Sequence, residues 1–376
     1  MELIPVFRPL IESEELSAAR EALEMGWLGM GSYVKDFEEE IAKICWLDKN
    51  SGRGVVAVST GHAALHLSLL MMGVGPGDEV VTPSFNNAAD FQAIMACGAT
   101  PVFVDIDEET LCIDPEQIGP LLSPKTKCII AMDYDIFTCN HEQLREISEQ
   151  TGVPVLHDAA HSFGSFHSGV PVGNQHQFTM FSFDPVKSVT SIDGGVIIMD
   201  DRALLDRAHA LRLIGMTQPA SQMYKNSRAW TYDIEEVGYR YHMPNIHAAI
   251  GLAQVGKLEE IKLSRQTVCK AYSEAFRDLD VVSAPNTDFQ NVNPFLYYVR
   301  VLDGQRSRFR EHLLSLGIDT GIHWQPGHQF KLFENCPRGP LDVTERVGTE
   351  VVSLPLHSKM DAEHVDRVID AVVAFQ

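Results

Sequence analysis

The sequence predicts an α/β fold: a large domain built on a mostly parallel sheet covered by helices, joined to a smaller C-terminal α+β domain. Two observations carry this. Between residues 55 and 199, seven short apolar, β-branched runs (55–58, 79–82, 101–104, 127–131, 153–156, 178–183 and 194–199) alternate with stretches of helical spacing, as at 61–73, 88–97 and 141–151. Strands alternating with helices pack as a parallel sheet with both faces covered. Further on, Pro244-Asn245 opens a periodic apolar pattern that runs through Ala248, Leu252 and Val255 towards Phe276. Proline in a first turn followed by sustained periodicity predicts one long helix, and that helix reads as the bridge between units 1–250 and 251–376.

The remaining elements follow in order. Residues 12–25 and 33–45 carry apolar positions at helical spacing, separated by the glycine-rich Gly26-Trp27-Leu28-Gly29-Met30-Gly31. No strand precedes those glycines and their spacing is not GxGxxG, which disfavours a dinucleotide loop. A helix at 202–212 and a polar loop to about 235 follow Asp200. The C-terminal part shows a strand at 297–302, a helix at 306–316, a turn and a terminal helix at 361–374, with no internal repeat.

Composition narrows the function. The chain has 376 residues, 45% hydrophobic and 22% charged, which is ordinary for a folded globular protein. Against 51 acidic residues stand 30 basic ones, a net charge of −21. Such a balance repels a phosphate backbone and an anionic membrane surface, so nucleic-acid and membrane partners are disfavoured. An anionic ligand needs a local cluster of cations or amides. The seven cysteines (45, 97, 112, 128, 139, 269 and 336) are scattered without a CxxC pair. That argues against a disulfide framework and a zinc site, and no metal is expected. The N-terminus lacks a signal-peptide pattern and no apolar run reaches membrane-spanning length, so a cytoplasmic location is expected.

The chemistry concentrates in two segments. Val153-Pro154-Val155-Leu156-His157-Asp158-Ala159-Ala160-His161 reads as a buried strand closed by a carboxylate, and Phe181-Ser182-Phe183-Asp184-Pro185-Val186-Lys187 places a lysine before Asp193-Gly194-Gly195. A buried carboxylate requires a cationic partner. An amine able to form a Schiff base, a carboxylate able to keep a pyridinium charged, and small hydroxyl or glycine positions for a phosphate are what pyridoxal phosphate (PLP) asks of a protein. Thr60-Gly61 opens the helix at 61–73, whose free N–H groups suit an anion; a plain N-cap explains Thr60 equally, and the two roles are compatible.

Three further blocks extend the pattern: Ser59-Thr60-Gly61-His62-Ala63-Ala64-Leu65-His66-Leu67, Gly75-Pro76-Gly77-Asp78-Glu79-Val80-Val81-Thr82-Pro83-Ser84-Phe85, and Gly98-Ala99-Thr100-Pro101-Val102-Phe103-Val104-Asp105-Ile106-Asp107. From about Gly26 to Leu356 the chain resembles the DegT/DnrJ/EryC1/StrS family of fold-type-I PLP aminotransferases, which mostly aminate nucleotide-linked keto sugars. The resemblance implies Lys187 as the Schiff-base lysine and Asp158 as partner of the pyridine nitrogen. His161 would lie beside the ring, and Ser182, Thr60, Gly61 and the amide of His62 would hold the phosphate. It also implies a homodimer with the active site at the subunit interface. Gly238-Tyr239-Arg240-Tyr241-His242-Met243 is similar to the segment that reaches the neighbouring subunit's phosphate, with Arg240 in place of Asn; a guanidinium binds phosphate through two parallel bonds. His323-Trp324-Gln325-Pro326-Gly327-His328 is similar to the substrate-facing segment, so His323, Trp324 and His328 are candidate sugar contacts, with a packing loop between domains as the competing reading.

Departures mark a divergent member. Asn87 stands where an aromatic ring usually stacks on the cofactor, His157 replaces an acid, His62 a threonine and Ile214 a histidine, and no Gly-x-Pro follows the strand at 127–131. The resemblance implies amino transfer, with glutamate as donor, to a keto sugar through pyridoxamine phosphate. Two rivals remain. A dehydratase of the same family would carry His where this chain has Lys187, and a non-catalytic PLP-binding or regulatory homologue would fit the departures.

Overall fold

The computed structural model describes residues 2–48, 51–217, 220–227 and 230–375. Two helices come first, α1 (Ser13–Glu24) and α2 (Ser32–Ile44). Strands then alternate with helices: β1 (Gly54–Val58), α3 (Gly61–Met71), β2 (Glu79–Pro83), α4 (Ala88–Ala96), β3 (Thr100–Val104), β4 (Thr126–Met132), α5 (His141–Thr151) and β5 (Val155–Asp158). A small hairpin of β6 (Phe166–His167) and β7 (Val170–Pro171) precedes β8 (Phe178–Ser182) and β9 (Gly195–Met199).

Seven strands form one sheet in the order β1-β9-β8-β5-β4-β2-β3. Pairings from β8 to β3 are parallel, while β9 runs antiparallel to both β8 and β1. The predicted mostly parallel sheet is therefore present. Its period-two alternation explains the two covering layers. Val56, Val58, Ile197 and Met199 face α3, α4 and α6 (Arg202–Leu211), whereas Val55, Ala57, Val196 and Ile198 face α2 and α8 (Asn245–Gly256). Helix α3 is apolar around most of its circumference because it lies under this layer, with Ala63 to Leu69 all buried. Between α6 and α8 the described chain forms only the short α7 (Ala220–Met223).

Beyond α8 come α9 (Leu258–Phe276), β10 (Val282–Ser283), β11 (Tyr297–Val301), α10 (Arg306–Ser315), α11 (Asp342–Glu350), β12 (Val351–Leu354) and α12 (Ala362–Val373). The last three strands make an antiparallel sheet, β10-β11-β12, with its own core of Val268, Tyr272, Val299, Leu313, Val352 and Val372. Ile4 joins this core and pairs with Ile318. Two expectations are corrected here. The long helix is two, α8 and α9, broken at Lys257 where φ −103 and ψ 12 leave the helical region after Gly256. The Lys257 amine turns away to the Leu10 carbonyl and the Glu15 carboxylate. The turn expected before the terminal helix contains α11 and β12, whose run Val351-Val352-Ser353-Leu354 is too short to show period-two alternation. No helix among the described residues is long and apolar enough to cross a membrane.

Candidate active site

Ligands of parallel sheets bind beyond the carboxyl ends of the strands, and the titratable groups gather there. Asp158 is the last residue of β5, in register with Met132 of β4 and Met180 of β8. Its Oδ1 accepts the Ala160 amide at 3.0 Å. After β8 the chain loops back: Lys187 N–H donates to the Asp184 carbonyl at 3.1 Å, and Ser191 N–H to the Phe183 carbonyl at 3.0 Å. This loop lays the Lys187 amine over the Phe295 ring, 4.2 Å from its centre. Burial pushes that amine down to about 8, against the opposing pull of Asp158, Asp184 and Asp90.

Asp90 was not anticipated. Asn87 caps α4 by accepting the Ala89 amide at 2.9 Å, which fixes the first turn. From that turn Asp90 is fully buried and lies against Asp158, with one oxygen bonded by the Asn86 amide and the other without a hydrogen-bond partner among the described residues. Burial raises both carboxyls, and the Lys187 ammonium pulls both back. Like charges in contact cannot both ionise cheaply, so each carboxylate disfavours ionisation of the other.

His161 is buried beside the amine. Its ring lies 4.6 Å from Phe295 and 5.9 Å from Trp324, its Nδ1 accepts the Asp135 amide at 3.3 Å, and burial with the Lys187 charge holds it well below the usual imidazole range. His323 shares this environment: its Nδ1 bonds Ser353 Oγ at 2.8 Å, and burial with Lys187 lowers it to about 4. His328 is held elsewhere, its Nδ1 on Ser84 Oγ at 2.8 Å and its Nε2 3.4 Å from Glu345.

A second cluster sits at the start of α3. Thr60 is the N-cap, its Oγ1 accepting the Ala63 amide at 2.9 Å. A Cβ added at Gly61 would stand 2.7 Å from Ser182 Oγ, and one at Gly195 would stand 2.3 Å from the Thr60 carbonyl. The glycines thus let the β8 and β9 ends close on the helix N-terminus, leaving its free N–H groups beside the Ser182 hydroxyl. His62 is exposed on the first turn. Arg240, also exposed, lines with Ser59, Thr60, Asp193 and His242 an open hollow of about 660 Å³.

Lys187, Asp158, His161, His323 and Trp324 thus converge on one place and Thr60, Gly61 and Ser182 on another, both at carboxyl ends of the sheet. Asn87 has its side chain engaged as a cap, and His328 is fixed by Ser84. Two residues escaped the sequence reading. Asp90 looks like any acid in a first helical turn, and Phe295 lies in an irregular apolar stretch before β11 that carries no periodic signal. A lowered amine, a buried carboxyl and an anion cradle of glycine, hydroxyl and helix amides fit PLP.

The model of the DegT/DnrJ/EryC1/StrS aminotransferase family matches residues 9–373. Among solved structures, the aminotransferase TlmJ from Streptoalloteichus hindustanus is 30% identical with a TM-score of 0.90, the match covering 98% of each chain. The sugar aminotransferase Spr1654 from Streptococcus pneumoniae, in its PMP form, is 26% identical at a TM-score of 0.89 over 98% of each chain. DesV from S. venezuelae, solved in complex with a ketimine intermediate, is 27% identical at a TM-score of 0.87 over 99% of this chain and 98% of that one. By fold, by site and by a family match over nearly its whole length, this chain belongs to the DegT/DnrJ/EryC1/StrS family of fold-type-I, PLP-dependent aminotransferases.

Proposed function

We propose that the protein transfers the amino group of L-glutamate to a keto sugar carried on a nucleotide, and that it acts as a homodimer. The observation that carries this reading is the Lys187 amine, pushed down to about 8 within electrostatic reach of the buried Asp158 carboxyl. When bound, PLP supplies an aldehyde for amines and a ring that accepts electron density from the amino-acid α-carbon.

The chain's own residues then take distinct parts. An amine lowered this far is substantially unprotonated at mildly alkaline pH, so Lys187 could serve as the nucleophile that holds the cofactor and as the base that carries the proton of the donor's α-carbon. Asp158 would pair with the pyridine nitrogen and favour its protonated form. Thr60, Ser182 and the amides of Gly61 and His62 would bind the phosphate, and Arg240 would add a cation where the net charge of −21 opposes anions. His161 would flank the ring. His323 and Trp324, beside His161, would suit a sugar, which binds through hydroxyl groups and an apolar face, and His328, held by Ser84 Oγ, lies in the same segment. Nucleotide linkage rests on the family's habit, and the acidic chain makes Arg240 and the α3 amides the natural places for further phosphates.

Purified protein should carry a violet-edge absorbance band that borohydride removes and that Lys187→Ala lacks, and nitrogen from labelled glutamate should appear on a keto-sugar acceptor. A colourless protein after reconstitution refutes the assignment. Asn87 favours a second reading: its side chain caps α4 where an aromatic ring would add ~0.5–1.5 kcal/mol of ring packing. A non-catalytic PLP-binding homologue would hold the chromophore yet show no change on addition of glutamate.

A further inference from the structure

One buried cluster takes no part in this chemistry. His157 precedes Asp158 on β5 and so points to the opposite face of the sheet. There it meets Asp133, which follows β4, His141, the first residue of α5, and His176, just before β8. Asp133, His141 and His157 are each no more than 1% exposed, and one ligand atom from each lies within 4.8 Å of those of the other two.

Hydrogen bonds do not account for the whole cluster. His157 Nε2 is 2.7 Å from Asp133 Oδ2, which also accepts from Ser162 Oγ at 2.6 Å, and Asp133 Oδ1 accepts the Cys139 amide at 2.9 Å. His141 Nδ1 is 3.0 Å from His176 Nε2, so one of these two nitrogens must donate. With His141 Nδ1–H as donor, its Nε2 presents a bare lone pair, and that atom is buried without a hydrogen-bond partner among the described residues. It stands 3.4 Å from Asp133 Oδ1. Two ligands each ~2.0–2.1 Å from one tetrahedral ion are separated by roughly this distance. An unsatisfied buried nitrogen is destabilising, and a cation between the two atoms removes that penalty.

We propose that Asp133, His141 and His157 form a buried three-residue site for a divalent transition-metal ion, zinc by its nitrogen and oxygen ligands, with His176 as the outer hydrogen-bond partner that orients His141, and that binding releases to solvent the proton now shared by His157 Nε2 and Asp133 Oδ2. Imidazole and carboxylate ligands suit zinc, and a ligating histidine ordinarily donates its other N–H to an outer partner. The ion would pin β4, β5 and the start of α5 one residue from Asp158, fixing the backbone that aims this carboxyl. Cysteine spacing gave no hint of it because the ligands are two histidines and an aspartate from separate elements, joined only by the sheet order.

The test is made on the whole protein, stripped with a chelator, incubated with Zn2+ alone and freed of loose ions. One zinc retained per chain and a higher thermal midpoint than the stripped protein are expected, with retention lost in His141→Gln and weakened in His176→Gln. Substitution by Co2+ should give the visible bands of a tetrahedral nitrogen and oxygen site, which decides the matter should His141→Gln fail to fold. Retention equal in wild type and variants would mark adventitious binding and overturn the proposal, as would clearly less than one zinc per chain or a six-coordinate cobalt spectrum. The metal count is read with or without PLP, so its failure is separate from failure of the transaminase reading.

Discussion

Lys187 is a cation from which water has been withdrawn, and its effect on stability has a definite sign. Its amine is lowered from 10.5 to about 8 by burial, so between those values the unfolded chain holds a proton that the folded chain lacks. Stability of the cofactor-free protein therefore rises as pH climbs through that window, and the full cost of the buried ammonium is present below pH 8. Lys187→Met should raise the thermal midpoint of cofactor-free protein at pH 7, with the gain shrinking at pH 10. Asp90 and Asp158 behave oppositely. Their folded values are raised, chiefly by burial, so the folded state keeps a proton and stability falls as pH rises above the ordinary carboxylate range. Asp90→Asn should flatten that decline in urea titrations repeated from pH 4 upward. Lys187 and Asp158 were legible because each closes a recognisable pattern beside a strand. Asp90 was not, because only the approach of α4 to β5 distinguishes it from a solvated acid that favours a helix N-terminus.

At the scale of elements, the start of α3 carries the proposed phosphate cradle and is braced from two sides. Thr60→Ala removes the cap and should cost about 1 kcal/mol in denaturant unfolding. Gly195→Ala places a methyl group 2.3 Å from the Thr60 carbonyl, which is backbone and must move. Overpacking of this kind costs ~1–3 kcal/mol, and it displaces the helix N-terminus from Ser182, so PLP retention measured by dialysis should fall further than in Thr60→Ala. The strands of the large sheet were readable because a fully buried strand is an unbroken apolar, β-branched run. The division between α8 and α9 was not: the helical period persists across the single non-helical residue Lys257, and the break depends on contacts with Leu10 and Glu15 far away in sequence. The small sheet was half legible for a related reason, since β12 is four residues long and finds its partner β11 across α10 and α11.

Across the whole molecule, the N-terminal segment ties the C-terminal sheet to the lysine. Ile4 N–H donates to the Gly317 carbonyl at 2.9 Å, the Ile4 carbonyl accepts from Asp319 at 3.0 Å, and the Val6 carbonyl accepts from Leu356 at 3.1 Å. The next residue, Phe7, stacks on Phe295 with centroids 5.4 Å apart and planes 9° from parallel, and its edge meets His323 at 5.5 Å. Phe295 is in turn the ring under the Lys187 amine. Burial of that amine is therefore a property of the assembled molecule: one ring from the N-terminal segment backs another from the approach to β11, and the pair excludes water from a loop of the large sheet. Phe7→Ala removes the backing ring, worth ~0.5–1.5 kcal/mol in stacking beyond its area, and lets Phe295 shift and water reach the amine. Desolvation is the first cause of the lowered value, so partial rehydration should raise the Lys187 titration midpoint from about 8 towards 10.5. Amine-directed labelling of cofactor-free protein across a pH series reads this midpoint directly. At pH 8 the variant should label more slowly than wild type, the two converging at high pH; a midpoint left in place would mean that the water is kept out by His161 and Trp324 alone.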